Sequence, residues 1–337
     1  MSGNVQVIDN GEMCSGEPFD LKVEDPRDIR NTILSFLSGL GTYMAERHDK
    51  RLFGVTMSAL LHGTCFAGST QLLMSDVPKS LLMKFFGKRY FGDIDVLVDR
   101  RHIKAGCPLQ EHALVRGMVH GHCIVVGSKR VGHNLHVIIQ DTRTAKYRQI
   151  DFLGCEYDES DAHPTPFSRW ARSSHQLDLA MGISGVYHKL MMNACIKSIG
   201  EIEGEIRDAK GKFREEGPFN LYTLSVSDGM RLAHVSDGTV IGHNGNRVNL
   251  IKRVEARHNP QYITDLSRIA NLTFGTPSAD ISSLYALCMS LLCYTNPERQ
   301  SKTLAYFKDN LSNNKELDPK AKAKAYKFAN EFFNPKG

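Results

Sequence analysis

Apolar and polar positions change period along the chain, and the changes outline its parts. From Asp28 onward, Ile29, Ile33, Phe36, Leu37 and Leu40 recur at three- and four-residue spacing, which predicts a helix. Gly39 and Gly41 interrupt that stripe and read as the helix end, the SGLG turn being only a weak sign of a helix-hairpin-helix. The polar, Gly-containing residues 1–25 read as a loose lead-in. Between 51 and 158, apolar runs such as HCIVVG, LHVIIQD and RQIDFLG alternate with turn residues, the texture of a small sheet. After Ser173 the spacing turns helical in LDLAMGISGVYHKLMMNACIKSI. Within that later part, Asp228-Gly229 and Asp237-Gly238 punctuate alternating residues and predict a β-hairpin or short meander. DPKAKAKAYKFANEFF closes the chain as a helix, with Asp318 as cap and Pro319 at its first position. The pattern predicts an α/β (α+β) protein: a lead-in and helix over 1–50, a mixed-sheet domain over 51–165, and a mostly helical domain with a β-hairpin insertion over 166–337.

Composition narrows the class. The chain has 337 residues, 41% of them hydrophobic, and a net charge of +5, mild enough to suit a polyanionic partner without demanding one. Eight cysteines stand singly with no CxxC pair, so buried reduced thiols are expected rather than a zinc module. The first residues lack the basic start and apolar run of a secretory signal, and no segment holds eighteen uninterrupted apolar residues. A soluble, cytoplasmic protein with no membrane partner is the expectation.

Candidate chemistry begins with GDIDVLV, residues 92–98. On an extended strand Asp93 and Asp95 share one face while Ile94, Val96 and Val98 take the other. Two neighbouring carboxylates repel, so such a pair is either a solvated face or a site where cations draw the charges together. Upstream, CFAGSTQLL places Ser69 to cap a short helix from Thr70 toward Met74 after a Gly68 turn, with amides and a hydroxyl suited to a phosphate. Downstream, Asp151 lies between Ile150 and Phe152 in another apolar strand, pointing away from the core face. If the two strands are neighbours, Asp93, Asp95 and Asp151 form a cluster that two Mg2+ ions, or Mn2+, would neutralise.

Gly68-Ser69, then GDIDVLV, then QID on a strand resembles the nucleotidyltransferase superfamily typified by DNA polymerase β, the strand GDIDVLV being closest to family X polymerases. The likeness covers residues 55–155. It implies that Asp93 and Asp95 ligate both metals, that Asp151 ligates the catalytic metal and helps deprotonate the attacking hydroxyl, and that Gly68 and Ser69 hold nucleotide phosphates. It also implies transfer of a nucleotide from a nucleoside triphosphate such as ATP to a hydroxyl, releasing pyrophosphate. The chain departs from family X in carrying Thr70 and Gln71 where arginines follow the serine, and in the extra apolar segment SLLMKFFGKRYF. Triphosphate charge must then be met elsewhere. By the same resemblance Lys189 is the candidate, with Tyr187 or His188 to stack on the base, although a helix interface for Tyr187 and a solvated Lys189 are equally compatible with the pattern. Lys84, Lys88 and Arg89 are further phosphate candidates.

A nucleic-acid 3′ end extended without a template ranks first as acceptor, RNA by a small margin over DNA, on mild basicity and the Lys-rich terminal helix. Transfer to a small molecule, a second nucleotide or a protein is the alternative. A family X-like DNA polymerase and a non-catalytic binding module rank lower. HGHC at residues 120–123 lacks a second ligand pair and reads as a strand entrance with incidental histidines, as do His133 and His136.

Overall fold

The computed structural model describes residues 6–9, 12–47, 65–75, 77–84, 89–103, 106, 109–158, 163–172, 178, 185–202, 205–207, 213–216, 218–226, 229–232, 239–241, 262–314, 317 and 319–333. It combines helices with a mixed sheet, as the alternation of periods predicts. The chain divides into two compact units, Met1–Gly185 and Val186–Gly337, where the sequence reading drew its last boundary at 165/166.

In the first unit, strands β1 (Gln6–Asp9), β2 (Glu12–Ser15) and β3 (Phe19–Asp20) precede helix α1 (Pro26–Arg47). Helices α2 (Thr70–Met74) and α3 (Lys79–Lys84) follow, then β4 (Tyr90–Phe91) and β5 (Asp93–Asp99). Strands β6 (Val119–His120), β7 (Cys123–Val131), β8 (Asn134–Asp141) and β9 (Tyr147–Cys155) complete the sheet, and α4 (Pro166–Arg172) comes after it. The strand order is β5-β9-β8-β7-β6. Only β5 and β9 run parallel; β6 to β9 form an antiparallel meander. Residues 148–155 of β9 are buried throughout, as befits a strand covered on both faces, so its near-continuous burial hides the alternation that marks β5.

Helix α1 buries Ile29, Ile33, Phe36, Leu37 and Leu40 in one cluster with Val96, Val125, Leu135 and Ile150 of the sheet. Contrary to the sequence expectation, α1 does not end at Gly39 but runs on to Arg47. The glycine serves a close approach: a Cβ on Gly39 would stand 2.8 Å from the carbonyl carbon of His120, so the helix crosses the turn after β6 at backbone distance. The lead-in is also better ordered than its polarity suggests. β1 pairs with β2 and β3 with β4, Phe19 and Leu21 are buried, and the Arg148 guanidinium lies 4.0 Å over the Phe19 ring while pairing with Glu24.

The second unit takes up α5 (Gly185–Lys197) and seven short strands among the described residues: β10 (Glu201–Ile202), β11 (Glu205–Arg207), β12 (Phe213–Glu216), β13 (Phe219–Asn220), β14 (Tyr222–Ser225), β15 (Gly229–Leu232) and β16 (Thr239–Ile241). The expected hairpin is β14–β15, closed at Ser225↔Gly229; the second predicted turn, at 237–238, lies outside the described residues. Helices α6 (Leu266–Phe274), α7 (Leu284–Tyr294) and α8 (Pro297–Asn313) are each capped by a side chain, Asp265, Ser283 and Asn296 accepting from the amides of Arg268, Ala286 and Arg299. The last helix, α9 (Pro319–Phe333), begins at the predicted proline, and its expected cap Asp318 is outside the described residues.

Of the described cysteines, six are buried thiols, Cys293 is exposed, and none is in a disulfide; Cys107 is outside the described residues. Among the described residues no helix is long and apolar enough to cross a membrane.

Candidate active site

Strand pairing brings the three aspartates together. In the parallel register of β5 and β9, Asp95 lies opposite Asp151 and Asp93 opposite Gln149. One carboxylate oxygen from each of Asp93, Asp95 and Asp151 lies within 4.8 Å of the others, the one such metal-capable group of three found among the described residues. Asp93 and Asp95 are half-buried. Asp151, expected to point away from the core, is fully buried because β9 is an interior strand of the sheet.

The other edge of β5 is occupied by the segment that leads into α2. Phe66 bridges Val96, Ala67 N donates to Asp95 O at 3.0 Å, and Leu97 N donates to Cys65 O at 2.6 Å. The chain then turns at Gly68, whose φ of +56° is left-handed, and a Cβ there would lie 2.7 Å from Asp95 Oδ2. Gly68 N donates to Arg172 O at 3.1 Å, which ties α4 to the same turn. Ser69 occupies the position before α2 but makes no side-chain capping bond, so the predicted cap is not formed; its backbone is already helical, at φ −74° and ψ −14°. Thr70 supplies the anchoring hydroxyl instead. Its Oγ1 accepts from Asp95 N at 3.0 Å and fixes the strand against the helix start.

Two residues flank Asp151 Oδ1: Gln149, which sequence reasoning passed over, and His136, which it read as incidental. Gln149, two positions earlier on the same face of β9, donates from Nε2 to Asp151 Oδ1 at 2.9 Å. His136, directly opposite Asp151 on β8, places Nδ1 at 2.8 Å from the same oxygen, off the line of a proper hydrogen bond. Asp151 Oδ2 is buried with no hydrogen-bond partner. An unpaired buried carboxylate oxygen is costly, and beside two further carboxylates it calls for a cation. The donors are all oxygens, the set preferred by hard ions such as Mg2+ and Mn2+. The residues therefore fit a divalent metal.

No family model, no curated protein and no solved structure matches the chain. The chemistry of the site therefore rests on its own geometry.

The remaining candidates have surroundings of their own. Arg89 is committed to Asp20, with bonds of 3.0 and 2.7 Å that hold the Asp20 carboxyl down to about 2, and its guanidinium lies 4.5 Å over Tyr90. That pair links Arg89, just before β4, to β3 and engages two of its donors. Lys84 is exposed at the end of α3, and Lys88 lies outside the described residues. Tyr187, His188 and Lys189 belong to α5 of the second unit. Tyr187 is buried, His188 Nε2 lies 2.8 Å from Ile281 O, and Lys189 is half-buried. Burial of Tyr187 suits the helix-interface role weighed from the sequence. His120 of the HGHC stretch, at the end of β6, is buried against the rings of Phe36 and Tyr43 with Nε2 at 2.6 Å from Ala113 O, so the histidine read as incidental at a strand entrance is part of the core.

Proposed function

We propose that the chain is a metal-dependent nucleotidyltransferase that moves a nucleoside monophosphate from a nucleoside triphosphate to a hydroxyl, releasing pyrophosphate. The observation that carries this reading is the convergence of Asp93, Asp95 and Asp151 on neighbouring parallel strands, with oxygens within 4.8 Å and a left-handed glycine turn packed against Asp95. It agrees with the resemblance of Gly68-Ser69, GDIDVLV and QID to the polymerase β-type superfamily. The sheet unit then serves as the palm-like domain and the second unit as the helical partner of such enzymes.

Asp93, Asp95 and Asp151 would hold Mg2+ or Mn2+, ions that lower the pKa of an attacking hydroxyl and stabilise charge on a departing pyrophosphate. The chain's own groups divide the remaining work. Gly68 presents a surface without a Cβ where the chain turns beside Asp95, leaving room for a phosphate at the half-buried Ser69. Thr70, through its bond to Asp95 N, keeps the carboxylate from sliding along the strand. Asp151, the most buried of the three, stands where a proton can be accepted out of contact with bulk water. An RNA 3′ end is the proposed acceptor, supported by the mild basicity of the chain; a small-molecule or protein hydroxyl is the rival.

The deciding experiment is transfer from each α-labelled NTP and dNTP, with Mg2+ or Mn2+, to a mixed RNA and DNA pool and to the protein itself. Aspartate-dependent label on polynucleotide, lost in Asp95→Asn and Asp151→Asn, upholds the reading. Turnover in Asp95→Asn equal to that of the parent refutes it.

A further inference from the structure

We propose that Gln149 and His136 make Asp151 a one-oxygen ligand and thereby set the preference of the site for a small six-coordinate cation over Ca2+. The inference rests on the reading of the three aspartates as a metal centre. A carboxylate has two oxygens, and whether both can face an ion depends on what else binds them. At Asp151 the question is decided by the sheet. Oδ1 accepts from Gln149 Nε2 at 2.9 Å and is crowded by His136 Nδ1 at 2.8 Å without a hydrogen bond, whereas Oδ2 has no hydrogen-bond partner.

Neither neighbour has freedom to withdraw. Gln149 is 1% exposed and sits two residues from Asp151 on the same strand face, and His136 is 6% exposed in the β8 position that pairs with it. The asymmetry of the carboxylate is therefore built into the register of β8 and β9. Mg2+ takes six oxygens in a tight octahedron and keeps several waters, so a single oxygen from Asp151 satisfies it. Ca2+ takes six to eight oxygens and commonly uses both atoms of a carboxylate. Blocking Oδ1 thus penalises Ca2+ more than Mg2+. Gln149 and His136 act through Asp151 and are positioning residues.

The test uses the full chain, Mn2+ binding followed by electron paramagnetic resonance, and competition by Mg2+ and by Ca2+ in separate titrations. Gln149→Met keeps the length of the side chain and removes the amide; His136→Leu removes the ring nitrogen; His136→Asn returns a nitrogen near the Nδ1 position. Loss of groups that orient a metal ligand weakens affinity about tenfold to a hundredfold. Gln149→Met and His136→Leu are therefore expected to lose Mn2+ and Mg2+ affinity in that range and Ca2+ affinity less, narrowing the Mg2+ to Ca2+ preference about tenfold or more. His136→Asn should stay close to the parent. Melting without metal reports whether each variant folds, and the two His136 variants decide the matter if Gln149→Met does not. An unchanged Mg2+ to Ca2+ ratio in the folded variants overturns the proposal and leaves the two contacts as sheet packing. Asp151→Asn separates the levels: loss of ion binding there upholds the metal centre, and retained binding overturns the centre and this inference together.

Discussion

Replacing Gly68 by alanine separates backbone strain from damage to the site. At φ +56° the residue is left-handed, where a Cβ costs about 1–2 kcal/mol. Removing a glycine also narrows the unfolded ensemble, which offsets about 0.4–1 kcal/mol of that cost. The net loss is about 1 kcal/mol, or a fall in melting temperature of about 2–4 °C for a unit the size of Met1–Gly185. Gly132, at φ +60°, carries the same strain, and a Cβ there meets nothing within 4 Å. Gly132→Ala is therefore the strain-only reference. At Gly68 the new methyl would lie 2.7 Å from Asp95 Oδ2, and the carboxylate has to move. A misplacement of about 1 Å costs a reaction about a hundredfold. Melting curves and labelled nucleotide transfer are measured on both variants. Both should melt lower, Gly68→Ala the more so, and only Gly68→Ala should lose transfer, by about a hundredfold. Equal transfer rates in the two variants refute the claim that Gly68 borders the catalytic carboxylate.

Other consequences are as direct. Asp141 is raised by burial but lowered further by the hydrogen bonds and charge of Arg143 and by Thr32, so its folded pKa lies below the ordinary value. Its contribution is complete above the unfolded carboxylate range and is lost as pH falls through the lower folded value. Asp141→Asn should cost about 1–2 kcal/mol at pH 7, Arg143 being half-exposed, and the gap should begin to narrow below about pH 4 and go on narrowing as pH falls further; urea unfolding over a descending pH series checks it. Of the described cysteines, Cys293 should react with a thiol reagent in the native chain, while Cys195, pushed up to about 12 by burial, reacts only on unfolding; mass mapping of labelled peptides decides. If the acceptor is RNA, its binding should weaken steeply between 50 and 200 mM salt through counterion release, and a salt-independent acceptor affinity favours a small-molecule hydroxyl.

The aspartate cluster was legible in the sequence because strands repeat every two residues. Asp93 and Asp95 had to share a face, and Asp151 had to stand on a strand of the same texture. Their meeting depended on β5 and β9 being neighbours, a long-range pairing that local pattern does not encode. Gln149 was within reach of the same rule, lying two residues before Asp151. His136 was accessible by a longer step: the turn between Gln140 and Tyr147 closes an antiparallel pair, and counting back four positions on each strand reaches His136 opposite Asp151. What composition obscured is tertiary. Gly39 reads as a breaker but sits where α1 meets a backbone, and the polar lead-in carries apolar side chains, Phe19, Leu21 and Cys14 among them, that pack against the sheet. The partner of Arg89, Asp20, is far away in sequence and is brought beside it only by the pairing of β3 with β4.

A charge cluster without its cation should cost stability, which gives the metal reading a thermodynamic test independent of turnover. Two carboxylates with oxygens within 4.8 Å of one another repel by roughly 3 kcal/mol or more at the effective dielectric of a partly exposed site, and Asp151 faces two of them. Asp151→Asn removes that repulsion while its remaining carbonyl oxygen can still accept from Gln149. In chelator the variant should therefore melt at or above the parent. A cation at about a hundred times its dissociation constant adds about 2.7 kcal/mol to whatever binds it, and the parent alone should gain this. The order of the two melting temperatures should then reverse when Mg2+ is added. A parent that is the more stable in chelator and in Mg2+ alike would show that the buried carboxylate serves the sheet, and that the cluster's proximity has no cation behind it.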